Sequence, residues 1–444
     1  MIDDLPKYDE MKDSGVLWLG DIPAHWTLSR AKNIFIKQNR PVRDEDEVIT
    51  CFRDGQVTLR KNRQTSGFTI SLKEMRYQGI RKGDLVIHIM DAFAGAVGVS
   101  DSDGKGSPAY SVCISKQDYS LELAALLMRE MANKNWITAL ATGIRQRSSD
   151  FRYLDFAKQI FPIPPLEEQE AIVKYLLYAK KRFTNDIRAK RKLIRLLEEQ
   201  KKVIVSRFVT KGLDVTASTK QSGVGWLGEI PKHWDVIQLK RIATIVNGST
   251  PKSNVEEYWG NDLVWVTPTD LGSLKTDTIS DSRRKLSQLG YISCGTSMVP
   301  KGSVILSCRA PIGTLAIADT DLCTNQGCKS IVLNKERCDS WYCYFSLYAG
   351  LDELKSYGNG STFVELSTIN LSTFVIPLPP LEEQKHILKH IQQQTSNIEN
   401  AIKASLKEIE LLNELQSRLI SDVVTGQVDV RAVSSHLPDI IQTS

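Results

Sequence analysis

Two mixed α/β domains, separated by two long helices that pair as an antiparallel coiled coil with a pseudo-twofold internal repeat, are the architecture this sequence predicts. Three observations lead there. The 444-residue chain is written twice. Each copy opens with short β-type runs broken by turn residues, and each closes on a charged stretch with apolar residues at heptad spacing.

The repeat sets the element order. Residues 14–26 read SGVLWLGDIPAHW and residues 222–234 read SGVGWLGEIPKHW, agreeing at ten of thirteen positions at an offset of 208. PIPPLEEQEAIVKYL at 162–176 returns as PLPPLEEQKHILKHI at 377–391, and VTKGLDV at 209–215 returns as VTGQVDV at 424–430, both at an offset of 215. The second copy is therefore seven residues longer between its blocks. There the likeness is weak but in order: KGDLVIHIMDAFAGAVGVSD from Lys82 answers KGSVILSCRAPIGTLAIAD from Lys301. Four segments follow: a variable domain at 14–163, a helical spacer at 164–215, a second variable domain at 222–378 and a second spacer at 379–430.

In the first domain DLVIHI, AVGVS and YSVCIS read as strands, and in the second LVWVT, SVILSC, LAIA and KSIVLN do. Gly, Pro, Asn and Asp separate them, which is the pattern of twisted sheets with exposed loops. Helical stretches at 121–133 and 340–356 are expected to pack on those sheets.

Each spacer helix starts at PPLEEQ. Proline suits the first helical position because its missing N–H would be unpaired there, and the following glutamates favour the positive end of the helix dipole. In the second spacer the apolar stripe runs Leu388, Ile391, Ile398, Ile402, Ile409, Leu412 and Leu419. In the first it runs Val173, Leu176, Phe183, Ile187, Ile194, Leu197 and Ile204. Polar residues interrupt both stripes at equivalent places. About 43 residues at roughly 1.5 Å each make a rod on the order of 65 Å, and so narrow a stripe calls for one partner helix. The first helix is basic, with twelve Lys or Arg against six Asp or Glu over 166–207, and the second is acidic, with five against seven over 381–425. Opposite charge favours pairing with each other over self-pairing. Because each helix leads away from its own domain, an antiparallel coil would put the two domains at its opposite ends.

Composition narrows the function. With 41% hydrophobic and 25% charged residues the chain can bury real cores. No apolar run reaches about 18 residues, and the start MIDDLPKYDE lacks the basic and apolar regions of a signal peptide, so a cytoplasmic location is expected. Eight cysteines then read as free thiols. Cys323 with Cys328 and Cys338 with Cys343 form two C-x4-C pairs that zinc could tolerate, but buried thiols are the expected reading, and no metal site is assigned. Phosphate-loop, dinucleotide, metalloprotease and serine-elbow signatures are all missing, as are a nuclease carboxylate cluster and the aromatic tetrapeptide of an adenine methyltransferase. His25 and His233 read as structural. The chain looks like a reader without a chemical step of its own.

Charge divides the two domains. Residues 16–160 carry 21 basic and 16 acidic residues, whereas 224–375 carry 14 and 15. A modest basic surcharge suits phosphate contact. The second domain's loops instead carry the amide, hydroxyl and cationic side chains that hydrogen-bond base edges and phosphates.

Together these blocks resemble the specificity subunit (HsdS) of Type I restriction-modification enzymes. The likeness spans nearly the whole chain: WLGDIPAHW and WLGEIPKHW, NGSTPKSNVEEYWGNDLVWVTPTDL from Asn247, RAPIGTLAIAD from Arg309 with TNQG from Thr324, GNGSTFVEL from Gly358, and both PPLEEQ junctions. The first domain departs from the pattern, with SPAYSV where the second has TNQGCK. The resemblance implies two target recognition domains, each reading one half of a split, asymmetric sequence in double-stranded DNA. It implies helices that fix the unread spacer and dock two methyltransferase subunits, with restriction subunits where present. The partners would use S-adenosylmethionine, ATP and magnesium, and no cofactor is expected on this chain. Candidate DNA contacts are Arg53, Arg60, Lys61, Arg63, Lys105, Tyr110, Arg145 and Arg147 in the first domain. In the second they are Thr250, Lys252, Thr267, Thr269, Arg309, Asn325, Gln326, Lys329, Ser361 and Thr362. A coiled-coil scaffold that does not bind DNA is the alternative, and a self-contained nuclease or methyltransferase a third reading.

Overall fold

A computed structural model describes residues 5–63, 76–116, 118–140, 150–309, 311–358 and 365–438. Contacts divide the chain into two units, one of Met1–Lys190 with Lys407–Ser444 and one of Arg191–Leu406. Neither long helix is a unit of its own. Both are cut part-way, so each unit holds a variable domain, the start of one long helix and the end of the other.

In the first unit, strands β1 (Phe35–Gln38), β2 (Leu85–His88), β3 (Val97–Val99) and β4 (Tyr110–Ser115) form an antiparallel sheet in the order β1-β4-β2-β3. Val112 lies opposite both Gln38 and Val86, and Ile87 opposite Val97. Helix α1 (Leu121–Asn133) buries Leu123, Leu127, Met128 and Met131 in the same core. Its N-cap, Ser120, accepts from the Leu123 amide. Long helix α2 (Leu166–Lys211) follows the proline junction.

The second unit repeats this plan. Strands β5 (Ala243–Asn247), β6 (Thr278–Ile279), β7 (Val304–Ser307), β8 (Leu315–Ala318) and β9 (Cys328–Leu333) pair in the order β5-β9-β7-β8-β6. The first four places match β1-β4-β2-β3, so the diverged middles of the two copies share one topology. The added edge strand β6 runs parallel to β8. Its counterpart in the first unit is the isolated parallel bridge between Val57 and Ser100. The helical stretch expected at 340–356 is broken in two, α3 (Ser340–Ala349) and a turn-and-a-half at Leu351–Ser356. Gly350 sits at the break, where a Cβ would stand 2.8 Å from Phe374 Cζ. The second long helix, α4, is Leu381–Val424.

The repeated motifs do matching work in each unit. Glu168, in the first turn of α2, accepts from Trp26 Nε1 at 2.9 Å and from the Tyr8 hydroxyl, and its other oxygen meets His25 Nε2 at 2.8 Å. Glu383, in the first turn of α4, takes Trp234 Nε1 at 3.1 Å and His233 Nε2 at 2.8 Å. The neighbouring glutamine caps the domain helix: Gln169 Oε1 accepts from the Ser120 amide at 2.8 Å, and Gln384 Oε1 from the Asp339 amide at 2.9 Å. Both histidines thus hold a turn to a helix.

The long helices pair antiparallel within each unit. In the first, the start of α2 and the end of α4 share one core, with Leu176 and Phe183 beside Leu419 and Val423. In the second, Val205 and Val209 from the end of α2 join Ile387 and Ile391 from the start of α4. Lys190 pairs with Glu408 in the first unit, and Lys201 with Glu399 at 2.8 Å in the second. All fourteen stripe residues read from the sequence are buried or half-buried.

The helix ends close the cores. Gly212 just beyond α2 and Gly426 just beyond α4 have φ of +70° and +74°, a conformation only glycine adopts cheaply. A Cβ on Gly212 would lie 3.0 Å from the Trp234 ring, and one on Gly426 3.0 Å from Trp26 and 2.4 Å from Pro23 Cδ. Each helix of one repeat therefore ends under the tryptophan of the other. Gly426→Ala should cost about 2–4 kcal/mol of stability, from left-handed strain plus overpacking. Gly223→Ala, equally positive in φ (+75°) but with open space around it, should cost only about 1–2 kcal/mol. Urea unfolding of the two variants checks the difference.

Candidate nucleic-acid interface

Candidate residues of the second domain come together from four separate loops among the described residues. The loop after β5 crosses the loop before β9 so closely that a Cβ on Gly248 would stand 2.1 Å from the Asn325 carbonyl oxygen and 2.3 Å from that of Thr324. The crossing is bonded: the Ser249 amide donates to Thr324 O at 3.0 Å, and the Thr250 hydroxyl donates to Gln326 Oε1. Trp265 Nε1 reaches Ser249 O at 2.9 Å, and the Asn325 amide reaches Val266 O at 2.9 Å. The Asn325 side chain accepts from the Gly327 amide at 2.9 Å, which fixes the turn that exposes Gln326.

Thr267 caps a short helix, Pro268–Gly272, in a reciprocal capping box with Asp270, and Thr269 lies exposed on that helix. Arg309 follows β7 and pairs with Glu365, with Nε to Oε2 at 3.0 Å. Lys252 lies exposed after the crossing, and among the described residues its side chain has no partner.

Lys329 does not belong on this surface. It is 5% exposed, and its Nζ donates to Asn247 Oδ1 at 3.0 Å. Thr368 donates to the same oxygen at 2.6 Å. An inward-facing strand position makes Lys329 a brace between β5 and β9 (Asn247 opposite Lys329) rather than a contact. Ser361 and Thr362 lie outside the described residues.

In the first domain the cations cluster on a hairpin of Ile49–Cys51 and Val57–Leu59, but each is engaged. Arg53 pairs with Asp91 at 2.8 Å, Arg63 with Asp54 at 2.8 Å, and Lys61 with Glu47. Arg60 Nε donates to Thr50 Oγ1 at 3.3 Å. The three ion pairs are exposed, where such pairs contribute about 0–1 kcal/mol, so a phosphate could displace the carboxylates at little cost. Lys105 is held in the strand Gly104–Gly106, its amide bonded to Glu47 O at 2.8 Å.

Tyr110 is misplaced by the sequence reading. It is 6% exposed at the start of β4, opposite His88, and its hydroxyl accepts from the Cys51 amide at 3.2 Å. Burial pushes its pKa up to about 12. In register it occupies the place of Cys328, opposite Ser307 in the second domain, so its side chain fills the core. Arg145 and Arg147 lie outside the described residues. Sequence reasoning missed Arg129, a half-buried cation on the apolar helix α1 whose Nη1 donates to Asp54 O under Gly55 and supports the hairpin turn. Its signal was a lone arginine among Leu and Met.

The eight cysteines are unpaired, seven buried and Cys294 half-buried. Burial pushes the thiols of Cys51 and Cys113 up to about 12 and that of Cys323 to about 11. Among the described residues no group of three or more His, Cys, Asp or Glu could hold a metal ion. None of their helices is long and apolar enough to cross a membrane.

Residues 231–408 match the family described as Type I restriction modification DNA specificity domain. Those residues form a Type I restriction-modification specificity domain. The chain is 37% identical over 198 residues to the MjaIX specificity subunit of Methanocaldococcus jannaschii, covering 44% of this chain and 45% of that one. It is 28% identical over 309 residues to the putative MjaX specificity subunit of the same organism, covering 69% and 67%. The aligned stretch thus spans about half of the first relative and two thirds of the second. Among solved structures, a chain from work on complex assembly and conformational transition of the type I R-M system superposes with a TM-score of 0.63 at 19% identity, covering 92% of this chain and 99% of that one. That likeness is one of fold. Specificity subunits of type I restriction-modification systems are generally non-catalytic.

Two outcomes check the site. Gly248→Ala, squeezed between backbone oxygens that cannot yield, should lose about 1–3 kcal/mol by overpacking, while Gly225→Ala, with nothing within 4 Å, should change little in the same melting experiment. A thiol reagent should label Cys294 of the native protein first and the other seven cysteines only on unfolding.

Proposed function

We propose that this chain is a specificity subunit that reads a two-part DNA sequence, each variable domain recognising one half. The observation that carries this reading is the loop crossing of the second domain, where Thr250, Arg309, Asn325 and Gln326 are assembled by hydrogen bonds at one end of the sheet. Side chains of those types hydrogen-bond base edges and phosphates. The first domain keeps the sheet topology but replaces the loops with a cationic hairpin, which accounts for two different half-sites.

In this reading the paired helices α2 and α4, each continuous through both units, set the unread gap. They also dock two methyltransferase subunits, and restriction subunits where the system has them. The chain itself carries no cofactor: S-adenosylmethionine serves the methyltransferase partners, and ATP and magnesium the restriction partners. In this reading the complex works in the cytoplasm.

Co-expression with its methyltransferase and genome-wide mapping of methylated adenines should reveal a bipartite motif with a fixed gap. Inserting one matched heptad into α2 and α4 should lengthen that gap by about 10 Å, roughly three base pairs, with both half-sites unchanged. Altered half-sites at a constant gap would contradict the ruler. Absence of any sequence-selective methylation would contradict DNA reading altogether.

A further inference from the structure

Arg309 is an exposed residue just beyond β7, and it is held from several sides. Its backbone is fixed on both sides: the Leu366 amide donates to Cys308 O at 3.0 Å, and the Cys308 amide donates to Gly327 O at 2.8 Å. Its side chain is 46% exposed. Nε and Nη2 both lie 3.0 Å from the same Glu365 oxygen, Oε2. The carboxylate therefore occupies the guanidinium edge formed by Nε and Nη2. The end-on edge, Nη1 with the second N–H of Nη2, has no partner among the described residues.

We propose that Arg309, braced by Glu365, reads a guanine in the half-site of the second domain. This rests on the DNA-reading function given above and names the base that one residue of that site selects. Two parallel donors match the O6 and N7 acceptors of guanine in the major groove. Adenine offers one acceptor and one donor there, thymine a single acceptor and cytosine a donor, so each leaves part of the fork unmatched. A phosphate also accepts from a fork. Here, however, the Glu365 carboxylate beside the fork would repel a phosphate, while the edge of a neutral base meets no such repulsion. The brace also reduces the rotamer freedom lost on binding, because the fork is already oriented.

The first domain has no equivalent. Strand register aligns His88 with Ser307, through their partners Tyr110 and Cys328, so Met90 stands where the second domain has Arg309. Guanine reading by this device belongs to one half-site only.

The test uses the full chain in complex with its methyltransferase subunits and reads the methylated motif. Arg309→Ala should relax a single G·C position in one half, by on the order of 10- to 100-fold in preference over the other base pairs. The other half and the gap should stay as they are. Arg309→Lys, which keeps the charge and the exposure but lacks the fork, should relax the same position. Glu365→Ala should weaken discrimination at that position and at no other.

An unchanged motif in Arg309→Ala would overturn the proposal, as would relaxation at an A·T position. So would a uniform loss of binding with a salt slope shallower by about one, the signature of a phosphate contact. In each of those outcomes the wild-type two-part motif would still stand. A wild-type complex with no such motif would instead refute the function on which the proposal rests.

Discussion

The burial of each tryptophan turn under the far end of the other repeat's helix is the constraint on which this structure depends. Trp26 and Trp234 are fully buried, and each is pinned from one side by a glutamate of its own repeat and covered from the other by a glycine of the opposite repeat. The first unit's core is incomplete without Val423, Val424, Val428 and Val430, and the second's without Val205 and Val209. Two copies of one design are thereby made interdependent. The chain closes back on itself as well, with the Asp429 amide bonded to Pro6 O at 2.8 Å and Gln427 Nε2 to Asp21 O at 2.7 Å.

The seam between the helices adds orientation to that closure. Its polar positions differ in kind, lysines on α2 (Lys180, Lys190, Lys201) and Thr395, Ser405 and Gln416 on α4. Polar residues at seam positions cost stability but favour one register and one pairing direction. Lys201 shows how. Burial by itself would lower its pKa, but the hydrogen bond to Glu399 and the nearby Asp277 and Glu399 carboxylates raise it instead. Asp277 also accepts from the Tyr344 hydroxyl at 2.8 Å, so one ammonium ties α2 to α4 and to the second domain together. The loops of the second domain then inherit a fixed base: β6 begins immediately after Asp277 and lies along β8, beside the strand that leads to Arg309.

The architecture was legible in the sequence because periodicity and repetition are linear signals. The seven strand runs, helix α1 and the starts of both long helices stand where the patterning put them, and every stripe residue is out of bulk solvent. Helix 340–356 was read through Gly350, whose close neighbours Phe374 and Trp226, which leave no room for a Cβ, come from distant sequence. The site was less legible for a related reason. Residue type suggested Thr250, Asn325 and Gln326, and the fold brings them together. Type alone could not tell that Lys329 and Tyr110 face inward, since strand parity is fixed only by pairing register. Nor could it show that Asn247, Trp265 and Glu365 would bond Lys329, Ser249 and Arg309, because each partner lies many residues away.

Hydrogen–deuterium exchange on Trp26→Ala tests the interdependence of the repeats most directly. Removing that indole opens a cavity worth about 3–5 kcal/mol at the point where α4 ends. The account predicts faster exchange at residues 419–430, in the second repeat, while residues 205–212 of the first repeat keep their protection. Loss of protection at 205–212 with 419–430 unaffected would mean that each tail serves its own repeat, and would contradict the account.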